Sequence, residues 1–78
     1  MINEIIKYMR KTKKLKQKEL AKLCDIAVTT LSGYETNYSQ PTFEMIEKIA
    51  NICNYEIQFI NKENNEIITT KNIERKMI

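Results

Sequence analysis

The sequence predicts a mainly α-helical fold, four to five short helices followed by a short β-strand or hairpin. Three observations carry that expectation. Apolar residues recur at three- and four-residue spacing up to Cys53. The period changes to apolar–polar alternation at Tyr55. Between these segments lie polar stretches, the longest closed by the only proline, Pro41. A chain of 78 residues is one small domain. At that size about 60% of the extended surface is buried, so the core is thin and gains from a partner.

The elements follow in order. Ile2, Ile5, Ile6 and Met9 place an amphipathic helix over residues 2–12, broken at Thr12-Lys13-Lys14-Leu15. Residues 18–24 form a second short helix with Leu20, Ala21, Leu23 and Cys24 on its apolar side. A third, over 27–36, turns Leu31 and Tyr34 inward and leaves Val28, Thr29, Ser32 and Gly33 outside. After the polar loop 36–40, Thr42 is a good N-cap for a fourth helix over 43–53, with Phe43, Ile46, Ile49, Ala50 and Cys53 inward. Asn54 can take the left-handed stop where glycine is usual. Residues 55–60 read as a strand, 61–65 as a turn, 66–70 as a returning strand, and 71–78 as one last helical turn or a frayed end. An isolated hairpin is marginal, so pairing with a second copy would supply the missing strands.

Composition excludes much. There is no histidine, the commonest general base, and a single glycine forbids a glycine-rich phosphate loop. Cys24 and Cys53 stand apart from each other and from any histidine, so no metal site is expected and both read as buried, inert thiols. No cofactor and no enzymatic activity are expected. No apolar run reaches the ~18 residues of a membrane span, and Glu4 and Lys7 interrupt the N-terminal apolar stretch, so no membrane partner and a cytoplasmic location, on the nucleoid when DNA-bound, are expected.

Charge is distributed unevenly. The net charge is +3, yet between Lys7 and Lys22 eight basic residues face one acid, Glu19, whereas residues 41–78 hold five basic groups and six acids. Such a basic half suits a polyanion, because each neutralised phosphate releases counterions; a lysine-rich solvated surface would look the same.

Two short helices joined by a tight turn, the second polar outside, make a helix-turn-helix. Ala21 is small where the helices cross, and Ile26, Leu31 and Tyr34 plug the crossing. With Gln17-Lys-Glu-Leu20-Ala21, Ile26, Leu31-Ser32, Glu35, Pro41-Thr42 and Ile49-Ala50 at their spacings, and Arg10 seven residues before Gln17, residues 5–54 resemble the lambda-type Cro/repressor (xenobiotic-response-element) helix-turn-helix family. The tail, through Tyr55-Glu-Ile-Gln-Phe59, resembles the HipB-type antitoxin branch. The resemblance implies a DNA-binding domain over 1–54 and a strand or hairpin tail over 55–78 that dimerises through Tyr55, Ile57 and Phe59.

The same resemblance assigns base reading to Val28, Thr29, Ser32 and Gly33. It assigns phosphate contacts to Gln17, Lys16, Lys18, Asn37, Tyr38, Ser39 and Gln40, and a structural ion pair to Arg10 and Glu35. Val28 and Thr29 would meet thymine methyl groups, favouring an A·T-rich half-site. The implied function is a sequence-specific repressor, a homodimer on double-stranded DNA with an inverted-repeat operator. The alternative is an antitoxin-like protein that binds a toxin and represses its own operon.

This chain departs from the family pattern at several positions. Lys14 and Asn37 stand where glycines usually turn the chain, and Lys16 and Ala27 replace Ser or Thr caps, each at a cost of about 1 kcal/mol. Gly33, within a helix, offers no side chain to a base; either the backbone approaches DNA closely there or the position is not read.

Overall fold

A computed structural model of the chain describes residues 1–77. Four helices, α1 (Ile2–Thr12), α2 (Gln17–Leu23), α3 (Val28–Glu35) and α4 (Phe43–Ile52), are followed by strands β1 (Phe59–Ile60) and β2 (Ile67–Ile68) and a final turn, α5 (Ile73–Lys76). The four-helix order and the helical last turn are as expected, with ends within two residues; residue 78 lies outside the described residues.

All four main helices stop in the same way. The residue after the C-cap is left-handed, Lys14 at φ 61°, Asp25 at 58°, Asn37 at 64° and Asn54 at 69°. The next amide then bonds back to the carbonyl of the third residue from the helix end: Leu15 to Arg10 at 3.1 Å, Ile26 to Ala21 at 3.0 Å, Tyr38 to Gly33 at 2.9 Å and Tyr55 to Ala50 at 2.8 Å. This closure satisfies otherwise orphaned carbonyls and tucks Leu15 and Ile26 against the core. None of the four left-handed residues is the glycine that such a site favours. N-termini are less regular. Thr42 Oγ1 accepts the Met45 amide at 3.1 Å, as expected of an N-cap. At Lys16, whose ammonium cannot accept, only the return half of a capping box forms, Glu19 Oε1 accepting the Lys16 amide at 2.8 Å. Ala27 contributes no side-chain cap.

The core is Ile6, Met9, Leu20, Ala21, Cys24, Leu31, Ile49, Ala50 and Cys53. Ala21 is fully packed at the α2–α3 crossing, as its size requires. Burial pushes both thiols upward in pKa, which keeps Cys24 and Cys53 inert. Three residues expected inside are largely exposed instead: Ile5, Leu23 and Phe43. A bundle of four short helices covers a narrower stripe of each helix than the apolar pattern offers.

The tail departs most from expectation. The six-residue strand over 55–60 is shortened to Phe59–Ile60, and it pairs antiparallel with Ile67–Ile68 of the same chain, Phe59 opposite Ile68. Two causes are local. The Tyr55 amide is committed to ending α4, and Ile57 packs against the core rather than alternating along a ladder. The loop then closes on itself, with Asn61 Oδ1 accepting from Glu63, Asn64 Oδ1 accepting from Glu66, and Asn65 left-handed. The Phe43 and Phe59 rings, 6.4 Å between centroids, dock the hairpin on α4.

Candidate nucleic-acid interface

The turn between α2 and α3 is four residues, Cys24 to Ala27, closed by Asp25 and plugged by half-buried Ile26. It fixes α3 across α2, and a second device fixes α3 against α1. Arg10 Nε donates to Glu35 Oε2 at 2.7 Å and Nη2 donates to Oε1 at 3.0 Å, while Nη1 donates to the Leu15 carbonyl at 2.8 Å. Both residues are more than nine-tenths buried. Burial alone would raise the Glu35 carboxyl. Hydrogen bonds from Arg10 and Gln17, with the Arg10 charge, more than offset that and hold it below the usual carboxylate range. The Arg10 guanidinium is raised through its hydrogen bonds to Glu35. The expected Arg10–Glu35 pair is therefore present and bidentate, the geometry that holds orientation best.

Gln17 is the third member of this lock. Its Nε2 donates to Glu35 Oε1 at 3.0 Å. The amide expected at a phosphate is thus drawn inward, because Glu35 Oε1, which accepts Arg10 Nη2, has a second lone pair to accept from Gln17, and half-buried Gln17 stands at the start of the adjacent helix.

α3 presents Val28, Thr29 and Thr30 to solvent, with Ser32 half-buried. Lys16, the N-cap of α2, and Lys18 and Lys22 on that helix are exposed, and a shallow groove at the turn is walled by Lys18, Lys22, Asp25 and Val28. Thr30 and Lys22 escaped the sequence reading. Thr30 adjoins Thr29 on a helix too short for its wheel to be decisive, and the four-residue step from Lys18 to Lys22 was the available signal. From Ile26 to Phe43 the only charged residue is Glu35, and it is buried and neutralised. No acid repels a polyanion along that stretch, and it carries no cation of its own.

Gly33 requires a correction. It is buried, neither exposed to read a base nor open to backbone approach. Its carbonyl accepts the amides of Tyr38 at 2.9 Å and Ser39 at 3.2 Å. A Cβ built there would lie 2.9 Å from Ser39 Oγ. Helical phase points Gly33 away from the core, but the loop after α3 folds back over it, and a Cβ there would have to displace the Ser39 hydroxyl. The loop residues assigned to phosphate contact divide accordingly. Tyr38 is 89% exposed, Asn37 Oδ1 accepts Gln40 Nε2 at 2.7 Å, and Ser39 is half-buried against Gly33.

The tail residues assigned to dimerisation do not form a common strand. Tyr55 and Ile57 line an apolar groove between α1 and α4, with the Tyr55 hydroxyl hydrogen-bonded to Thr12 Oγ1 at 2.9 Å. Phe59 stands 56% exposed on the hairpin.

A helix-turn-helix locked on both sides, with small side chains on the outer face of its second helix and lysines on its first, defines a class by geometry alone. The sequence profile of the family described as Helix-turn-helix matches residues 6–60, and the chain belongs to that family in its Cro/C1 form. Two solved structures share the fold. SinR, the master regulator for biofilm formation, solved in complex with DNA, is 32% identical, with a TM-score of 0.65 over 70% of this chain and 89% of that one. The complex of SinR with SinI contains a chain 33% identical, with a TM-score of 0.64 over 69% of this chain and 53% of that one. No curated protein matches the chain. Among the described residues no helix is long and apolar enough to cross a membrane.

Proposed function

We propose that this protein is a sequence-specific transcriptional regulator without enzymatic activity, a repressor that binds an inverted-repeat operator as a homodimer. The coarser part, a DNA-binding transcriptional regulator, is supported by the family and by the relative solved on DNA. One observation carries the reading: α3 is locked by the buried Arg10–Glu35–Gln17 set and presents an outer face free of acids, bordered by exposed Lys16, Lys18 and Lys22. Its position on this face makes Val28, Thr29 and Ser32 the base-reading set, now without Gly33. Methyl and hydroxyl groups of this kind discriminate modestly and favour thymine methyls. Lys16, Lys18, Lys22, Tyr38 and Gln40 are the phosphate contacts, supplying affinity without sequence information.

Selection from a randomised duplex pool at near-physiological salt tests this. An A·T-rich inverted repeat with half-site centres ~34 Å apart is expected to enrich. Loose binding that falls with salt but enriches no sequence would overturn the specific reading.

A second reading, a protein that binds another protein such as a toxin, has one observation in its favour: the apolar groove between α1 and α4. A similar chain, matched over 53% of its length, was solved in complex with SinI, which supports looking for a protein partner. Gly33 gives this reading no support, because the loop folded over it accounts for its lack of a side chain.

A further inference from the structure

The groove between α1 and α4 has a volume of about 630 Å³ and is walled by Ile5, Tyr8, Ile46, Tyr55 and Ile57, with Glu4 and Glu56 at its margin. On α1, Ile5 is 51% exposed and Tyr8 66%, an unusual outlay of apolar surface one helical turn apart. At 100° per residue Tyr8 points some 200° away from Arg10, and Arg10 is what ties α1 to α3. The groove therefore lies across α1 from the helix that faces DNA.

From this we infer that α1 is the homodimer seam, the groove of each copy taking Ile5 and Tyr8 of a second copy. This rests on the homodimer reading above and gives it a location other than the tail strands, which close within the chain. The argument for a second copy, rather than a foreign helix, is self-complementarity. A two-fold interface must carry both halves of each contact on one surface, and this surface does. It has projecting side chains, Ile5 and Tyr8, beside the hollow they would fill. It has acids at the hollow's margin, Glu4 and Glu56, and Lys11 lies two helical turns from Glu4 on the same side of α1. With the two α1 helices antiparallel, Glu4 of one copy comes opposite Lys11 of the other.

Sedimentation equilibrium on the full chain at tens of micromolar, with circular dichroism to confirm folding, decides this. Wild type is expected to be dimeric. Ile5→Glu and Tyr8→Glu are expected to be folded monomers, and Phe59→Glu to remain a dimer. Glu4→Lys and Lys11→Glu should each weaken the dimer at least tenfold, and the chain carrying both should regain it; these exposed charges decide the matter even if an Ile5 variant misfolds. A dimer that survives both Tyr8→Glu and the single charge reversals overturns the α1 seam and leaves the homodimer reading intact. A wild-type chain that is monomeric both free and on its selected operator overturns the two together.

Discussion

Two exposed faces of this small domain are built from opposite chemistry. The face made by α3 and the loop after it is neutral, with short side chains on the helix and Tyr38 and Gln40 in the loop, and α3 is held in place by a buried charged lock. The face made by α1, α4 and residues 55–57 is apolar and lined by large side chains, with acids only at its margin. Polar groups that end at a hydroxyl or methyl suit the edge of a base, which supplies its own partners. Large apolar groups left in water suit burial against protein. On the proposed function the domain separates a reading face from an associating face, with α1 as the divider, since Arg10 faces one side and Tyr8 the other.

The largest test of this division is removal of the lock. Glu35→Ala leaves the Arg10 guanidinium buried and unpaired, which costs about 3–5 kcal/mol; a urea titration should show most of the stability of so small a domain gone. Replacing both partners, Arg10→Met with Glu35→Leu, should recover much of the loss in stability while leaving DNA affinity low, because α3 keeps its packing but loses its angle. Full recovery of both would show that the pair adds nothing to orientation.

The lock also predicts a pH dependence. Glu35 has a folded-state pKa below its unfolded one. Its contribution is therefore complete above the unfolded carboxylate value, about 4.3, and is lost as pH falls from there through the folded value. Urea midpoints measured downward from pH 6 should decline in that window, and Glu35→Gln should flatten the decline. An unchanged slope in that variant would assign the acid sensitivity to other carboxylates.

A smaller effect separates reading from holding. Thr29→Ala is expected to weaken binding to the selected operator several-fold, binding to random duplex hardly at all, and stability within about 0.5 kcal/mol, as for an exposed position. Equal loss on both duplexes would remove Thr29 from the base-reading set.

The helical half of this fold was legible in the sequence because each local signal agreed with the next: Ala21 small at the crossing, Thr42 as a cap, Asn54 as a stop. In the tail the hairpin and its turn were legible but the length of the first strand was not, because a six-residue alternation does not reveal that its first amide ends α4 and that its third residue packs on the core. At the candidate site the partnership of Arg10 with Glu35 was legible through family resemblance. The part played by Gln17 was not, since a second lone pair on Glu35 Oε1, already bonded to Arg10, decides it. Helical phase placed Ile5 and Leu23 with the core, and only the number of helices available to cover them shows that they stay outside.

Gly33 and Lys14 give the smallest predicted effects and the clearest reason why the α3 face cannot be read residue by residue. The chain's one glycine occupies a helix with negative φ, where no left-handed freedom is used, while five left-handed positions carry Lys, Asp and three Asn. Lys14→Gly should therefore stabilise the domain by about 1 kcal/mol, the size of the penalty an ordinary residue carries in that conformation. Gly33→Ala gains a similar amount in helix propensity, offset by the need for Ser39 Oγ to move from 2.9 Å; the next atom, on Tyr38, is already at 3.8 Å. A serine hydroxyl can rotate, so thermal stability should change by less than 1 kcal/mol in either direction. DNA affinity should fall by a few-fold, because Ser39 and Tyr38 are repositioned on the phosphate side. Unchanged affinity would mean that this loop lies clear of the DNA, and that the glycine serves only to let the chain turn back over α3.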